Sequence, residues 1–147
     1  MPAGLSMAAL ALAALLGVAA GVGGYTFVYA RGGSYLTDDP AACANCHPMQ
    51  GYHDGWVRGP HHAVAVCNDC HTPDNPVAKY LVKALNGWHH SSAFTTGEYP
   101  DVVRIRERSR EEVEGQCRRC HAALVASMPG AGETSCLRCH DSVGHLR

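Results

Sequence analysis

Hydrophobic and polar positions divide this chain sharply. Met1 to Ala30 reads MPAGLSMAALALAALLGVAAGVGGYTFVYA, with no Asp, Glu, Lys, Arg or His, and Arg31 is the first charged side chain. The run exceeds the roughly 20 apolar residues that cross a bilayer as a helix. Tyr25, Phe27, Tyr29 and Tyr35 gather at its far end, where an aromatic belt sits at the membrane interface. A cleaved secretory signal has an apolar core of about 7–15 residues preceded by positive charge. This run is longer and no Lys or Arg precedes it, so residues 1–35 read as an uncleaved anchor. Its many Ala and Gly residues permit close helix packing and hence an oligomer.

The polar remainder, residues 36–147, carries two helical patterns. Asn75-Pro76 supplies an N-cap and a first helical position, and VAKYLVKALNGWHH continues as a helix to about His90. Gly97 to Pro100 reads as a turn. A second helix is expected from about Asp101 to Cys117, with RIRERSREEVE as a solvated charged face and Arg108–Glu112 as an i,i+4 pair. Strand patterning is lacking, so the fold class is mainly α with little regular sheet.

Composition then changes the picture. Among 147 residues there are eight Cys and ten His but two Phe, and the formal net charge is −1. Near-neutrality argues against a nucleic-acid binder. The polar part holds too few large apolar side chains for an ordinary core, so it needs a staple. The cysteines identify it. They form the pairs Cys43/Cys46, Cys67/Cys70, Cys117/Cys120 and Cys136/Cys139, each followed at once by a histidine: His47, His71, His121 and His140. CxxCH is the attachment signature of c-type haem, in which two thiols hold the porphyrin and the adjacent imidazole lies under the iron. Zinc ribbons and thioredoxin-like sites also use CxxC, but neither needs that histidine, and a disulfide framework has no use for it. Four covalent haems therefore supply the core of a small haem-packed domain. The motifs start at 43, 67, 117 and 136, with no constant period. Because c-type haem is attached outside the bacterial cytoplasm, the anchor is expected to be single-pass in the inner membrane with the haem domain on the periplasmic side.

Six further histidines, His53, His61, His62, His89, His90 and His145, are candidate second axial ligands, and spacing does not say which iron each serves. Met49 lies two residues after His47, within reach of the same haem or simply as a packing residue. Lys79, Lys83, Gly87 and His90 fall at helical offsets on one face. There Gly87 would admit a flat ligand, and Lys83 and His90 could hydrogen-bond oxygens or move protons.

An N-terminal anchor, four CxxCH motifs, CHPM at the first, and Lys83 with Gly87 on the helix resemble the NapC/NirT family of membrane-anchored tetrahaem quinol dehydrogenases. The branch resembled most is the small subunit of cytochrome c nitrite reductase. The resemblance implies menaquinol oxidation near the first haem and electron delivery to a periplasmic multihaem catalytic subunit that reduces nitrite to ammonium. The small subunit does not itself reduce nitrite. It also implies Met49 as a ligand of the first haem, Lys83 in the quinol site, His145 serving the third haem and His62 the fourth, with His61 as the neighbouring alternative. The haem on His71 resembles one whose distal ligand is a lysine of the partner. His90 stands where that branch has an aspartate. It is either a proton acceptor or an iron ligand, and His89 is the adjacent alternative. Two other readings stand beside this one: delivery to a nitrate or trimethylamine N-oxide reductase, and a passive haem relay with no quinol site.

Overall fold

A computed structural model describes residues 6–100, 102–130 and 132–145. Met1–Leu5 of the expected anchor, Asp101 at the expected start of the charged helix, and the last two residues lie outside the described residues. The described elements are α-helices and short 3₁₀ turns, with no strand among them, as the patterning predicts. Residues up to Ser34 and residues from Tyr35 onward form separate compact units.

The first unit is built on α1, Met7–Tyr29, whose N-cap Ser6 accepts a hydrogen bond from the Ala9 amide at 3.2 Å. At ~1.5 Å per residue its 23 residues are long enough for a hydrocarbon layer of ~30 Å. Leu10, Leu15, Leu16, Val18 and Val22 all lie exposed on it, the surface expected of a helix solvated by lipid.

In the second unit, short helices carry the cysteines. Helix α2, Pro40–Cys43, starts on Asp39, whose carboxylate accepts from the Ala41 amide at 2.9 Å, and Pro40 pre-sets the first turn. A 3₁₀ turn, His47–Met49, leads into α3, Gln50–Arg58, and a second 3₁₀ turn, Pro60–Ala63, bears His61 and His62. Helix α4, Cys67–His71, is the second motif itself. Helix α5, Pro76–Thr96, begins at Asn75, which accepts from the Ala78 amide at 3.0 Å. Helix α6, Glu107–Cys120, ends in the third motif, α7 is Ala122–Ala126, and a 3₁₀ turn, Cys136–Arg138, opens the fourth.

Two boundaries differ from the sequence reading. Helix α5 runs past His90 to Thr96 and stops at Gly97, whose φ of 73° supplies the left-handed C-terminal cap. Thr95 and Thr96 bond back to the Ser91 and Ser92 carbonyls as the helix continues. Helix α6 starts at Glu107. Residues 102–106 stay irregular because they include the β-branched Val102, Val103 and Ile105, and because the Tyr52 hydroxyl takes the Val103 carbonyl at 3.2 Å. It then continues to Cys120, since the third motif itself is helical.

Packing follows the order of the motifs. Helix α2 contacts α4, α4 packs along α6, and α6 contacts the Cys136–Arg138 turn. No apolar side chain is fully buried among the described residues; the buried side chains are Thr72, Lys83 and Gln116. The last of these contacts is made by one carboxylate. Glu114 on α6 accepts from the Cys136 amide at 2.9 Å, the Leu137 amide at 3.0 Å and the Ser135 hydroxyl. Burial pushes the Glu114 carboxyl up, but those donors outweigh it and bring it down to about 2. Because its folded-state value lies below its usual 4.5, this clamp is present above that pH and is lost as pH falls towards about 2. Glu114→Gln is expected to destabilise the haem domain by about 1.5–3 kcal/mol, the worth of hydrogen bonds to a charged group. Thermal melts at pH 7 and pH 3 check it: the difference between the two proteins should shrink at the lower pH.

Candidate functional site

The eight thiols are unpaired, and those of successive motifs lie near one another. Cys43 and Cys67 share a hydrogen bond, Cys70 lies close enough to Cys120 to feel its charge, and Cys117 stands in the same relation to Cys136. No three His, Cys, Asp or Glu side chains among the described residues converge as a closed zinc site requires. The donor set fits haem instead: paired thiols on a helical turn, an imidazole at the next residue, and a polypeptide that closes no apolar core of its own.

The motif histidines meet other aromatic rings. His71 stacks on His145, with centroids 6.2 Å apart and planes within 10°, and burial followed by the His145 charge pushes the His71 imidazole below its usual value. Tyr52 of α3 packs edge-on to His145 at 5.0 Å. His145 also lines a cleft of about 280 Å3 with Pro60, Cys139 and His140 of the fourth motif. His61 lies 6.2 Å from His121, its Nδ1 buried and without a hydrogen-bond partner, whereas His62 is exposed and packs edge-on to Trp56 at 4.7 Å. Trp56 is fixed in turn by its indole N–H, which donates to the Ala65 carbonyl at 3.0 Å. His53 shares the face of Trp56 at 5.6 Å, and its Nδ1 is likewise buried without a hydrogen-bond partner. Met49 sits half-buried on the same 3₁₀ turn as His47.

A second cluster lies where α5 meets the segment before α2. Lys83 is 6 % exposed, and its ammonium donates to Asp38 Oδ1 and to the Thr37 carbonyl, both at 2.8 Å. Lys79 pairs with Asp38 Oδ2 at 2.5 Å, and the Asn68 amide of the second motif donates to Asp38 Oδ1 at 2.6 Å. The Lys79 and Lys83 ammoniums together hold the Asp38 carboxyl far below the usual carboxylate range. The Lys83 ammonium also stands 5.5 Å from the centre of the Tyr80 ring.

Two turns beyond Lys83 along α5, His90 Nδ1 and the Tyr35 hydroxyl are hydrogen-bonded at 2.9 Å. Burial raises Tyr35, and the nearby Cys46 and Cys43 raise it further, which places this pair beside the first attachment motif. Burial, then the Arg106 and His89 charges, lowers His90. His89 and His90 both keep solvent-exposed surface.

The sequence reading singled out Lys83 and His90 and did not include the side chains they bond to. Asp38 was hidden in a short acidic segment between anchor and motif, and Tyr35 resembled one more interfacial aromatic. Gly87 was expected to admit a flat ligand, and the flat ring beside it is that of Tyr35.

Residues 5–147 match the NapC/NirT cytochrome c family, N-terminal region. The chain belongs to that family. It is 40% identical over 126 residues, 76% of this chain and 71% of the relative, to the cytochrome c-type protein NrfH of Wolinella succinogenes. It is 34% identical over 121 residues, 78% of this chain and 72% of the relative, to the cytochrome c nitrite reductase subunit NrfH of Nitratidesulfovibrio vulgaris. Among solved structures it resembles a chain of the cytochrome c nitrite reductase NrfHA complex bound to the inhibitor HQNO, with a TM-score of 0.69 and 28% identity over 90% of this chain and 91% of that one. A member of the NapC/NirT family carries covalently bound haem c, serves as an oxidoreductase and is membrane-anchored.

A Cβ at position 87 would lie 3.7 Å from the Tyr35 ring, an ordinary contact. Gly87→Ala should therefore stabilise α5 by about 0.5–1 kcal/mol. Gly87→Leu should displace Tyr35 and lower the melting temperature, and thermal melts of the two variants check both.

Proposed function

We propose that this NapC/NirT cytochrome is the quinol dehydrogenase subunit of a nitrite reductase complex: it oxidises menaquinol at the membrane surface and passes the electrons to a periplasmic cytochrome c nitrite reductase. The observation that carries the reading is the placement of the Lys83–Asp38 and His90–Tyr35 pairs at the first-motif end of an unbroken succession of attachment helices. One of the named relatives is a cytochrome c nitrite reductase subunit, and a solved nitrite reductase complex binds HQNO. The haem domain faces the periplasm, since that is where haem c is attached.

Four haem c groups would be held by the eight motif cysteines and by His47, His71, His121 and His140. Met49, on the turn of His47, would be a further ligand at the first motif. His145 and one of the His61–His62 pair would serve at others; the buried, unpartnered Nδ1 of His61 favours His61. The haems would supply one-electron acceptors.

The chain's own residues handle the quinol and its protons. Oxidation of one quinol to quinone releases two protons and two electrons. The Lys83 ammonium orients a quinol oxygen and stabilises the negative charge that grows there as its proton leaves. With its Nδ1–H directed to the Tyr35 hydroxyl, neutral His90 presents Nε2 to accept one of the two protons, and the other passes to solvent.

The test is anaerobic mixing of the haem-loaded protein, in mild detergent and without a partner, with a reduced menaquinone analogue. Rapid haem reduction blocked by HQNO is expected. Haems that stay oxidised yet respond to dithionite would make this a passive relay. Lys83→Leu should slow quinol-driven reduction roughly tenfold, equivalent to one charge-assisted hydrogen bond of ~1.4 kcal/mol. An unchanged rate removes Lys83 from the site.

A further inference from the structure

Burying an ammonium is costly unless it is paired and hydrogen-bonded. Lys83 is the buried charged side chain among the described residues, and its partner comes from a segment of three residues, Thr37 to Asp39, between the start of this unit and the first attachment helix. Asp38 bonds outward in three directions: to Lys83 and Lys79 on α5, and to Asn68 between the two cysteines of the second motif. Asn68 adds a 3.3 Å bond to the Thr37 carbonyl, so the same segment is tied to α4 twice.

We propose that Asp38 is a positioning residue for the quinol site, fixing the Lys83 ammonium at the junction of α2, α4 and α5 so that one N–H is presented to a quinol oxygen. This inference rests on the quinol-oxidising reading above. An ammonium has three N–H donors, and Asp38 and Thr37 take two of them. A lysine on a four-carbon stem would otherwise sample several rotamers, and pinning two donors removes most of that freedom before the ligand arrives. Two lysines around one carboxylate leave the cluster with one excess positive charge. That balance suits an oxygen that becomes negative as its proton leaves. Tying Asp38 to Asn68 also references the lysine to the second attachment motif as well as to the first, so its position follows the haem-bearing helices.

The experiment uses the full-length, haem-loaded protein in detergent. It compares Asp38→Asn, which keeps the shape and removes the charge, with Asp38→Glu, which restores the charge. Each is made in the wild-type and Lys83→Gln backgrounds. Two quantities are read: the dissociation constant for HQNO, and KM and kcat with a reduced menaquinone analogue. Asp38→Asn is expected to weaken HQNO binding by about fivefold and to raise KM more than it lowers kcat, with the dithionite-reduced spectrum unchanged and a lowered melting temperature that Asp38→Glu restores. Asp38→Glu should recover binding to within about twofold. In the Lys83→Gln background, Asp38→Asn should change binding by less than about twofold, because residues that act as one unit are not additive. Wild-type HQNO affinity in Asp38→Asn overturns the proposal. So does a fivefold loss that persists in the Lys83→Gln background, and so does a loss that tracks the melting temperature and is not recovered by Asp38→Glu. A wild-type protein that neither binds HQNO nor takes electrons from the quinol overturns the functional reading itself, and this inference with it.

Discussion

Covalent attachment of haem c is the constraint on which the rest of the haem domain depends. The polypeptide buries no large apolar side chain among the described residues, and its buried groups are a threonine, a lysine and a glutamine. A chain of that kind does not fold by hydrophobic collapse of its own side chains. Its helices are short, several of them five residues or fewer, and marginal in isolation. Local caps start them and motif-to-motif contacts hold them. Asp39, Asn75 and Gly97 set the ends of α2 and α5, and Glu114 joins the third attachment helix to the fourth motif.

That division explains what could be read in the sequence. The anchor was legible because lipid imposes a length and excludes charge over the whole run, and the cytochrome c character was legible because thioether chemistry imposes a fixed spacing. The caps at Asn75-Pro76 were legible for the same local reason. Helix ends governed by distant partners were not. Nothing local told of Tyr52 taking the Val103 carbonyl 51 residues away, so the start of α6 was placed too early. The end of α5 had a local signal in Gly97, which the sequence reading assigned to the following turn.

The candidate site divides in the same way. Lys83 and His90 were visible because helical offsets place them on one face with Gly87. Their partners, Asp38 and Tyr35, come from 45 and 55 residues earlier, in a stretch whose pattern is otherwise that of a linker. A buried lysine on a helix calls for a carboxylate somewhere, and Asp38 and Asp39 are the acidic residues between the anchor and the first motif. That electrostatic need was the available signal. It names a residue type without naming a position, so the structure had to supply the address.

Haem attachment fixes the cysteines and the histidine of each motif and leaves the two residues between the cysteines to vary. Here those two residues carry separate instructions. In the second motif, Asn68 reaches Asp38, and Asp69 takes the Val66 amide that opens its own helix. In the third, Arg118 holds the Thr134 carbonyl, and Arg119 pairs with Asp74. In the fourth, Leu137 offers its amide to Glu114. The motifs are identical in pattern and different as connectors, so these three cassettes are each addressed to one place in the row. Exchanging two of them would carry the CxxCH pattern across intact and still deliver the wrong contacts, which makes the order of the motifs along the chain a property of more than the attachment pattern.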